Sequence, residues 1–416
     1  MRLPPRSKFL GGTLKVPPSK SHTMRAILFA TLAKGKSVIF NYLHSPDTEA
    51  MIKACRLLGA EINVFDHYLE VIGHLRPPGD VIDAGNSGQI LRFVGAVLGL
   101  FPTYGIVTGD GSIRHSRPIT PLLEGLSQLG AFAVSAKGDG TAPIIVKGPL
   151  KGGFASVNGE DSQPISGLLI TSAFAEGKTE LLVTNPGEKA WVRLTLAWFD
   201  MLGISYHHEN FERYTLAGGS SIQGFNFNVP ADLSSATYPI AAALVTDSEL
   251  TLTDVDCHDI QGDKEIIFLL KRMGARIEID AAHKTIKVLK GSSLEGCVID
   301  VGEFIDGLPL LAVIGCFAGG VTHIQGGRIA RQKESDRISC IVSELKKMGA
   351  SITEQEDGLI VKGGRLHGAC LESHADHRLA LSLAIAALGA EGASTIGGTE
   401  CADKSYPGFF GQVISD

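Results

Sequence analysis

Five stretches of this chain echo one another. CRLLGAEI, LSQLGAFA, FDMLGISY, LKRMGARI and LKKMGASI each run from a helical pattern into a glycine and then into strand-like residues. The glycines are Gly59, Gly130, Gly203, Gly274 and Gly349, separated by 71, 73, 71 and 75 residues. Glycine suits a helix C-cap because the left-handed backbone costs it little. A fixed period of this length marks a chain built from copies of one supersecondary unit.

A second set of segments interleaves with the first. Each is a polar start running into an apolar helix: SKSHTMRAILFATLA, NSGQILRFVGAVLG, DSQPISGLLITSAFA, DLSSATYPIAAALV, IDGLPLLAVIGCFA and ADHRLALSLAIAAL, beginning near residues 21, 86, 161, 232, 306 and 376. That makes six copies, the last of them short. These helices are apolar nearly all round and are expected to be buried. The helices before the glycines are amphipathic; in RISCIVSELKKMGA, Ile338, Ile341, Val342, Leu345 and Met348 share a face. The pattern predicts an α/β protein of α+β layers, with sheets packed on buried helices. Six units divide into two domains of three, predicted as residues 1–14 with 231–416 and residues 15–230. One crossing falls near Asn228 to Asp232. The segment up to about Leu14 is expected to pair with the last unit and make the other.

Composition narrows the function classes. An apolar share of 44% with 20% charged residues describes a globular domain protein. The apolar run near LPLLAVIGCFAGG is broken by Pro309 and several glycines, so no membrane span is expected. The start, MRLPPRSKFLGG, lacks the apolar stretch of a signal peptide. The seven cysteines are scattered without CxxC spacing and read as reduced thiols, neither zinc ligands nor disulfides, in a cytoplasmic protein. The net charge of −6 and the lack of a basic run argue against nucleic acid as a partner.

The residues with chemistry gather at the polar starts. They are Lys20, Ser21 and Arg25; Asn86 and Gly88; Ser162 and Gln163; Asp306; and Asp376, His377 and Arg378. Loops add Arg117 in RHSRP, Lys333, Glu334 and Arg337 in RIARQKESDR, and Lys404 in ADKSYP. A single Lys or Arg at a helix end is ordinarily a solvated charge, and a single Asp there an N-cap. Their repetition at matching places of a six-unit chain is more specific. Helix N-termini attract anions. If the buried helices of each domain run roughly parallel, two facing domains form a cleft lined by such termini, suited to phosphates and carboxylates. Arginine fits these groups because its planar fork binds two oxygens at once.

PPSKSHTMR, GNSGQILR, HSRP, RQKESDR, ADHR and DKSYPGFF, in this order and across essentially the whole chain, resemble the signature segments of the EPSP synthase (3-phosphoshikimate 1-carboxyvinyltransferase) family. The resemblance implies a two-domain inside-out α/β barrel, each domain built from three βαβαββ units, with the active site in the cleft between the domains. It implies transfer of the enolpyruvyl group of phosphoenolpyruvate to the 5-hydroxyl of shikimate 3-phosphate, by addition and then elimination, without a metal or organic cofactor. By the same resemblance, Lys20, Gly88, Arg117, Gln163, Arg337, Arg378 and Lys404 would bind phosphoenolpyruvate. Ser21, Arg25, Ser162, Gln163, Asp306 and Lys333 would bind shikimate 3-phosphate. Asp306 would take the hydroxyl proton, Glu334 and Lys20 would move protons at C3, and Asn86 and His377 would support them. A monomer is expected, and the division of the cations between two domains predicts that it closes on its ligands.

The chain departs from the family pattern at Gln89, Asp161, Glu188 and Trp191. Lys189 would then replace lost phosphate contacts, and Trp191 would cover the acceptor ring. These changes fall on the acceptor side, which leaves open an enolpyruvyl transferase for another phosphorylated alcohol. An enzyme for UDP-N-acetylglucosamine would carry a cysteine in the segment GDGSIRHSRP, and none is there. A catalytically dead anion binder would have no need of both Asp306 and Glu334.

Overall fold

Small and apolar residues fill the stretch after each polar start, and a helix with no polar face is stable only where protein surrounds it. In the computed structural model, which describes residues 1–3, 8–9 and 11–415, these stretches are buried helices. They include Lys20–Leu32, Ser162–Phe174, Leu233–Val245, Leu308–Phe317 and His377–Gly389, each buried over nearly its whole length. The second copy differs. Its chain passes through a π-turn (Ile90–Val94), one α-turn (Gly95–Val97) and a 3-10 turn (Leu98–Leu100). A π-turn inside a helix widens the backbone and is common where side chains have been re-aimed for a function.

The amphipathic helices bury the predicted face. In Arg337–Lys347, Ile338, Ile341, Val342 and Leu345 are buried and Met348 follows them inward. Each such side chain contributes about 1.5–3 kcal/mol on leaving water. The five repeat glycines close their helices with positive φ, from +69° at Gly203 to +107° at Gly274.

The chain folds as two compact units, Met1–Pro18 with Pro230–Asp416 and Ser19–Val229. The boundaries lie at Pro18/Ser19 and Val229/Pro230, because Lys15 belongs to a strand and Asp232 donates its backbone N–H to the Pro17 carbonyl (2.9 Å). Of the expected terminal segment 1–14, residues 4–7 and 10 lie outside the described residues, as does 416 of the expected segment 231–416.

One sheet pattern recurs in both units. Strands Gly153–Asn158 and Thr179–Thr184 are parallel and joined by the buried helix; Arg213–Leu216 then pairs antiparallel beside them, with Tyr206–Glu209 at the edge. This is the βαβαββ unit, with its last strand inserted second from the edge. The sheets containing Gly105–Thr108, Gly35–Phe40, Leu250–Thr253 and Val321–Gln325 repeat it. The sixth keeps one parallel and one antiparallel pairing.

Two strands are exchanged at the crossings. Gly12–Lys15 directly precedes the helix Lys20–Leu32, yet pairs in parallel with Leu250–Thr253 of the fourth repeat. Asn226–Asn228 precedes the helix Leu233–Val245, yet pairs in parallel with Gly35–Phe40 of the first. The expected pairing with the last repeat is made instead by Arg2–Leu3 with Ser394–Thr395 and by Lys8–Phe9 with Ile414–Ser415.

In the unit Ser19–Val229, Trp198 stacks on Phe29 (centroids 5.5 Å apart) and donates its indole N–H to His22 Nδ1 at 3.2 Å. This pins the first buried helix just behind Lys20 and Ser21. The other unit holds a continuous core running from Val16 through the helices Leu233–Val245, Leu308–Phe317 and His377–Gly389.

Candidate active site

Most of the aspartates at the polar starts do what a helix start asks of them. Asp161, Asp232 and Asp376 accept hydrogen bonds from the backbone N–H of Gln163 (3.1 Å), Ser235 (2.7 Å) and Arg378 (2.9 Å), capping their helices. Asp306 does not cap. It sits in a 3-10 turn, Ile305–Gly307, and its carboxylate faces Arg337 Nη1 (2.7 Å) and Arg378 Nη2 (3.0 Å).

Arg337 is the hub of this set. It is the first residue of its helix, where the dipole disfavours a cation, and it is buried. Three carboxylates offset that cost: Asp376 on Nε at 2.8 Å, Glu334 on Nη2 at 2.8 Å, and Asp306. Glu334 also holds Lys404 Nζ at 2.7 Å. His377 Nδ1 lies 3.9 Å from Glu334 and 3.8 Å from Asp376. Burial would raise the Asp306 carboxyl, but Arg378, Arg337 and Lys333 outweigh it and hold the group well below the usual carboxylate range. Burial would lower Arg337 and Arg378, and their carboxylate partners raise both above the ordinary arginine value. Glu334, Asp376 and His377 could each offer a metal one ligand atom within 4.8 Å of the others. Both carboxylates already face Arg337, so a cation would have to compete with a guanidinium.

In the unit Ser19–Val229 the start Asp161–Gln163 is the hub. A Cβ added at Gly88 would meet Arg117 Nη1 at 2.7 Å, Gln163 Oε1 at 3.0 Å and Arg92 Nη1 at 3.1 Å. Three polar groups thus converge over a backbone with no side chain, and a side chain at this position would have to displace them. Arg117 is braced by Ser112 Oγ (3.3 Å) and Asn86 Oδ1 (3.3 Å). Asp161 pairs with Arg92 Nη2 at 3.0 Å, so its charge is matched as well as capping the helix. Lys20 pairs with Asp47 at 3.6 Å.

Several residues expected to serve the acceptor are engaged within the protein itself. Arg25 is buried and gives its donors to Thr195 Oγ1 (2.9 and 3.1 Å), the Trp191 carbonyl (3.2 Å) and the Ser21 carbonyl (3.2 Å). Burial lowers it to about 9. Ser162 gives both its backbone N–H and its hydroxyl to Glu188 Oε2, each at 3.1 Å. Lys189 opens the helix Lys189–Leu202 and is half-buried, as is Trp191; Lys333 is buried in the other unit.

Arg92 and Asp263 carry charge in these groups and escape sequence reasoning. For Arg92 a signal exists, a cation inside the apolar run ILRFVGAV. Asp263 is fully buried, accepts a hydrogen bond from the Ser234 hydroxyl, and is pushed up to about 7 by burial and by Asp306. In sequence it reads as one more turn aspartate.

Repeated sheets in two units, with clustered arginines, lysines and carboxylates at buried-helix starts, define an enzyme for small anionic substrates. A family model for EPSP synthase (3-phosphoshikimate 1-carboxyvinyltransferase) matches residues 5–413, and the chain belongs to that family. It is 43% identical to 3-phosphoshikimate 1-carboxyvinyltransferase of Chlamydia caviae, over 98% of this chain and 91% of that protein. To the protein of the same name from Acetivibrio thermocellus it is 41% identical, over 98% and 96%. The structure of EPSP synthase from Acinetobacter baumannii superposes with a TM-score of 0.81 at 30% identity, covering 99% of this chain and 96% of that one. The fold is the two-domain inside-out α/β fold of that family. Among the described residues no helix is long and apolar enough to cross a membrane.

Proposed function

We propose that the chain transfers the enolpyruvyl group of phosphoenolpyruvate to the 5-hydroxyl of shikimate 3-phosphate, releasing phosphate and feeding aromatic amino acid biosynthesis. Full-length relatives at 41–43% identity with that name support the reading. The observation that carries it is the Arg337 cluster, where two carboxylates of different service, Asp306 and Glu334, are each held by two cations.

The chemistry asks for that arrangement. C3 of phosphoenolpyruvate must gain a proton while the acceptor oxygen bonds to C2. C3 must then lose a proton as the C2–O bond to phosphate breaks. An aspartate held far below the usual range is a weak base. When the anionic groups of phosphoenolpyruvate take Arg337 and Arg378 as partners, Asp306 loses the field that depresses it and becomes basic enough to accept the hydroxyl proton. Glu334, shared between Arg337 and Lys404, is the group for the C3 proton, with Lys20 as its counterpart in the other unit. Arg117, Gln163 and Gly88 hold phosphoenolpyruvate, braced by Asn86, while His377 supports Arg378. Ser21, Arg25, Ser162, Lys189, Trp191 and Lys333 serve the acceptor. The reading requires both sets to act on one substrate pair. We further propose that it acts as a monomer in the cytoplasm.

Phosphate release from phosphoenolpyruvate, measured with shikimate 3-phosphate and the purified protein, tests the reading. Asp306→Ala is expected to lower turnover by about 10²–10⁴-fold. Absence of release from the unaltered protein, with phosphoenolpyruvate still bound, would refute shikimate 3-phosphate as acceptor. It would favour another phosphorylated alcohol as the acceptor.

A further inference from the structure

The start of the helix Ser162–Phe174 offers an anion a backbone N–H, a hydroxyl and the positive end of the dipole. That seat is taken by the chain itself. Glu188 is 4% exposed, and its Oε2 accepts from Ser162 N and Ser162 Oγ, both at 3.1 Å. It does so from a left-handed backbone, φ 44° and ψ 41°, which is uncommon for any residue with a Cβ and persists where surrounding contacts impose it. Asp161 adds a second carboxylate at the same start, matched by Arg92.

We propose that Glu188 is a displaceable internal anion. It occupies the seat of the acceptor's phosphate in the ligand-free protein, and it sets acceptor affinity by having to leave. The inference rests on the acceptor reading above. A phosphate beside a buried carboxylate would face like-charge repulsion. When Glu188 returns to the right-handed basin, its carboxylate leaves Ser162 and the strain is relieved. The phosphate, with three acceptor oxygens and more charge, then takes both Ser162 donors and the field of the adjacent Lys189. The exchange makes acceptor binding weaker than the donor set alone would allow. It also screens the seat against weaker anions.

The test is equilibrium binding of shikimate 3-phosphate and of shikimate, which lacks the phosphate, followed by Trp191 fluorescence in the unaltered protein, Glu188→Ser and Glu188→Gln. Glu188→Gln keeps the size of the side chain and removes its charge. Shikimate 3-phosphate is expected to bind at least about tenfold more tightly to Glu188→Ser, with Glu188→Gln between, while shikimate affinity stays unchanged. Weaker binding of shikimate 3-phosphate by both variants would make Glu188 a structural support for Ser162 and overturn the proposal. So would equal affinities in all three proteins. If phosphate release proceeds in that same preparation, the acceptor reading survives either result. If none of the three binds shikimate 3-phosphate and none releases phosphate, both fall.

Discussion

Asp263 offers a stability measurement that isolates one buried charge. Its carboxyl is fully buried, accepts from the Ser234 hydroxyl, and is raised to about 7 by burial first and by Asp306 next. In the unfolded chain an aspartate titrates near 3.9. A raised folded-state value means that the group's contribution is fully present below about pH 3.9 and is lost as pH rises through about 7. At about 1.36 kcal/mol per unit, the loss amounts to roughly 2 kcal/mol by pH 5.5 and roughly 4 kcal/mol by pH 8.5. Asp263→Asn does not titrate, so its stability relative to the unaltered protein should rise by about 2 kcal/mol between those two pH values. Any constant cost of the amide against Ser234 cancels in that difference. Asp306 stays ionised throughout the window, because its carboxyl is held low. Both tryptophans, Trp191 and Trp198, lie in the unit Ser19–Val229. Urea unfolding of the Asp263 unit must therefore be followed by far-ultraviolet circular dichroism. A variant-minus-parent difference that is flat between pH 5.5 and 8.5 would refute the reasoning.

Two further outcomes follow from packing. Gly88→Ala places a methyl 2.7 Å from Arg117 Nη1, and displacing that guanidinium by about an ångström should raise the KM for phosphoenolpyruvate by roughly 10- to 100-fold; an unchanged KM in steady-state kinetics would remove Arg117 from the site. Leu345→Ala empties a fully buried position on the Arg337–Lys347 helix and should cost about 2–5 kcal/mol in urea unfolding, a loss under about 1 kcal/mol showing that the face is not packed.

Local pattern made much of this molecule legible. The spaced glycines, the apolar starts and the face of Ile338, Ile341, Val342 and Leu345 all depend on residues close in sequence, so the repeat can be counted along the chain alone. The exchange of strands cannot, because nothing in GTLK says that its partner is Leu250–Thr253 rather than a strand next along the chain. At the site, residue types at helix starts drew attention to segments whose charged side chains pair with one another in the fold, while the partners themselves stayed hidden. Asp306 and Asp161 look alike in sequence, yet one turns to two arginines and the other caps a helix and meets Arg92. The inward turn of Glu188 depends on a left-handed backbone that a glutamate rarely adopts, and Asp263 owes its raised value to surroundings contributed by distant segments.

The exchanged strands also order events during synthesis. The partner of Asn226–Asn228, Gly35–Phe40, precedes it in sequence, so every strand that the sheets of Ser19–Val229 need has been made before the rest of the chain is synthesised. Gly12–Lys15 must wait, its backbone edge unpaired, until Leu250–Thr253 appears, and Arg2–Leu3 waits longer still, for Ser394–Thr395. An unpaired edge is a template for wrong partners. The delay is shortened in effect by what has already folded. With the middle of the chain compact, the ends at Pro18 and Ala231 bridge each other, and closing the remaining loop costs far less entropy than a free chain of that length would. Gly12–Lys15 and Arg2–Leu3, although they precede the unit Ser19–Val229 in sequence, are thus among the last strands to find their partners, and a nascent chain truncated before Thr253 would hold one finished unit preceded by a loose strand.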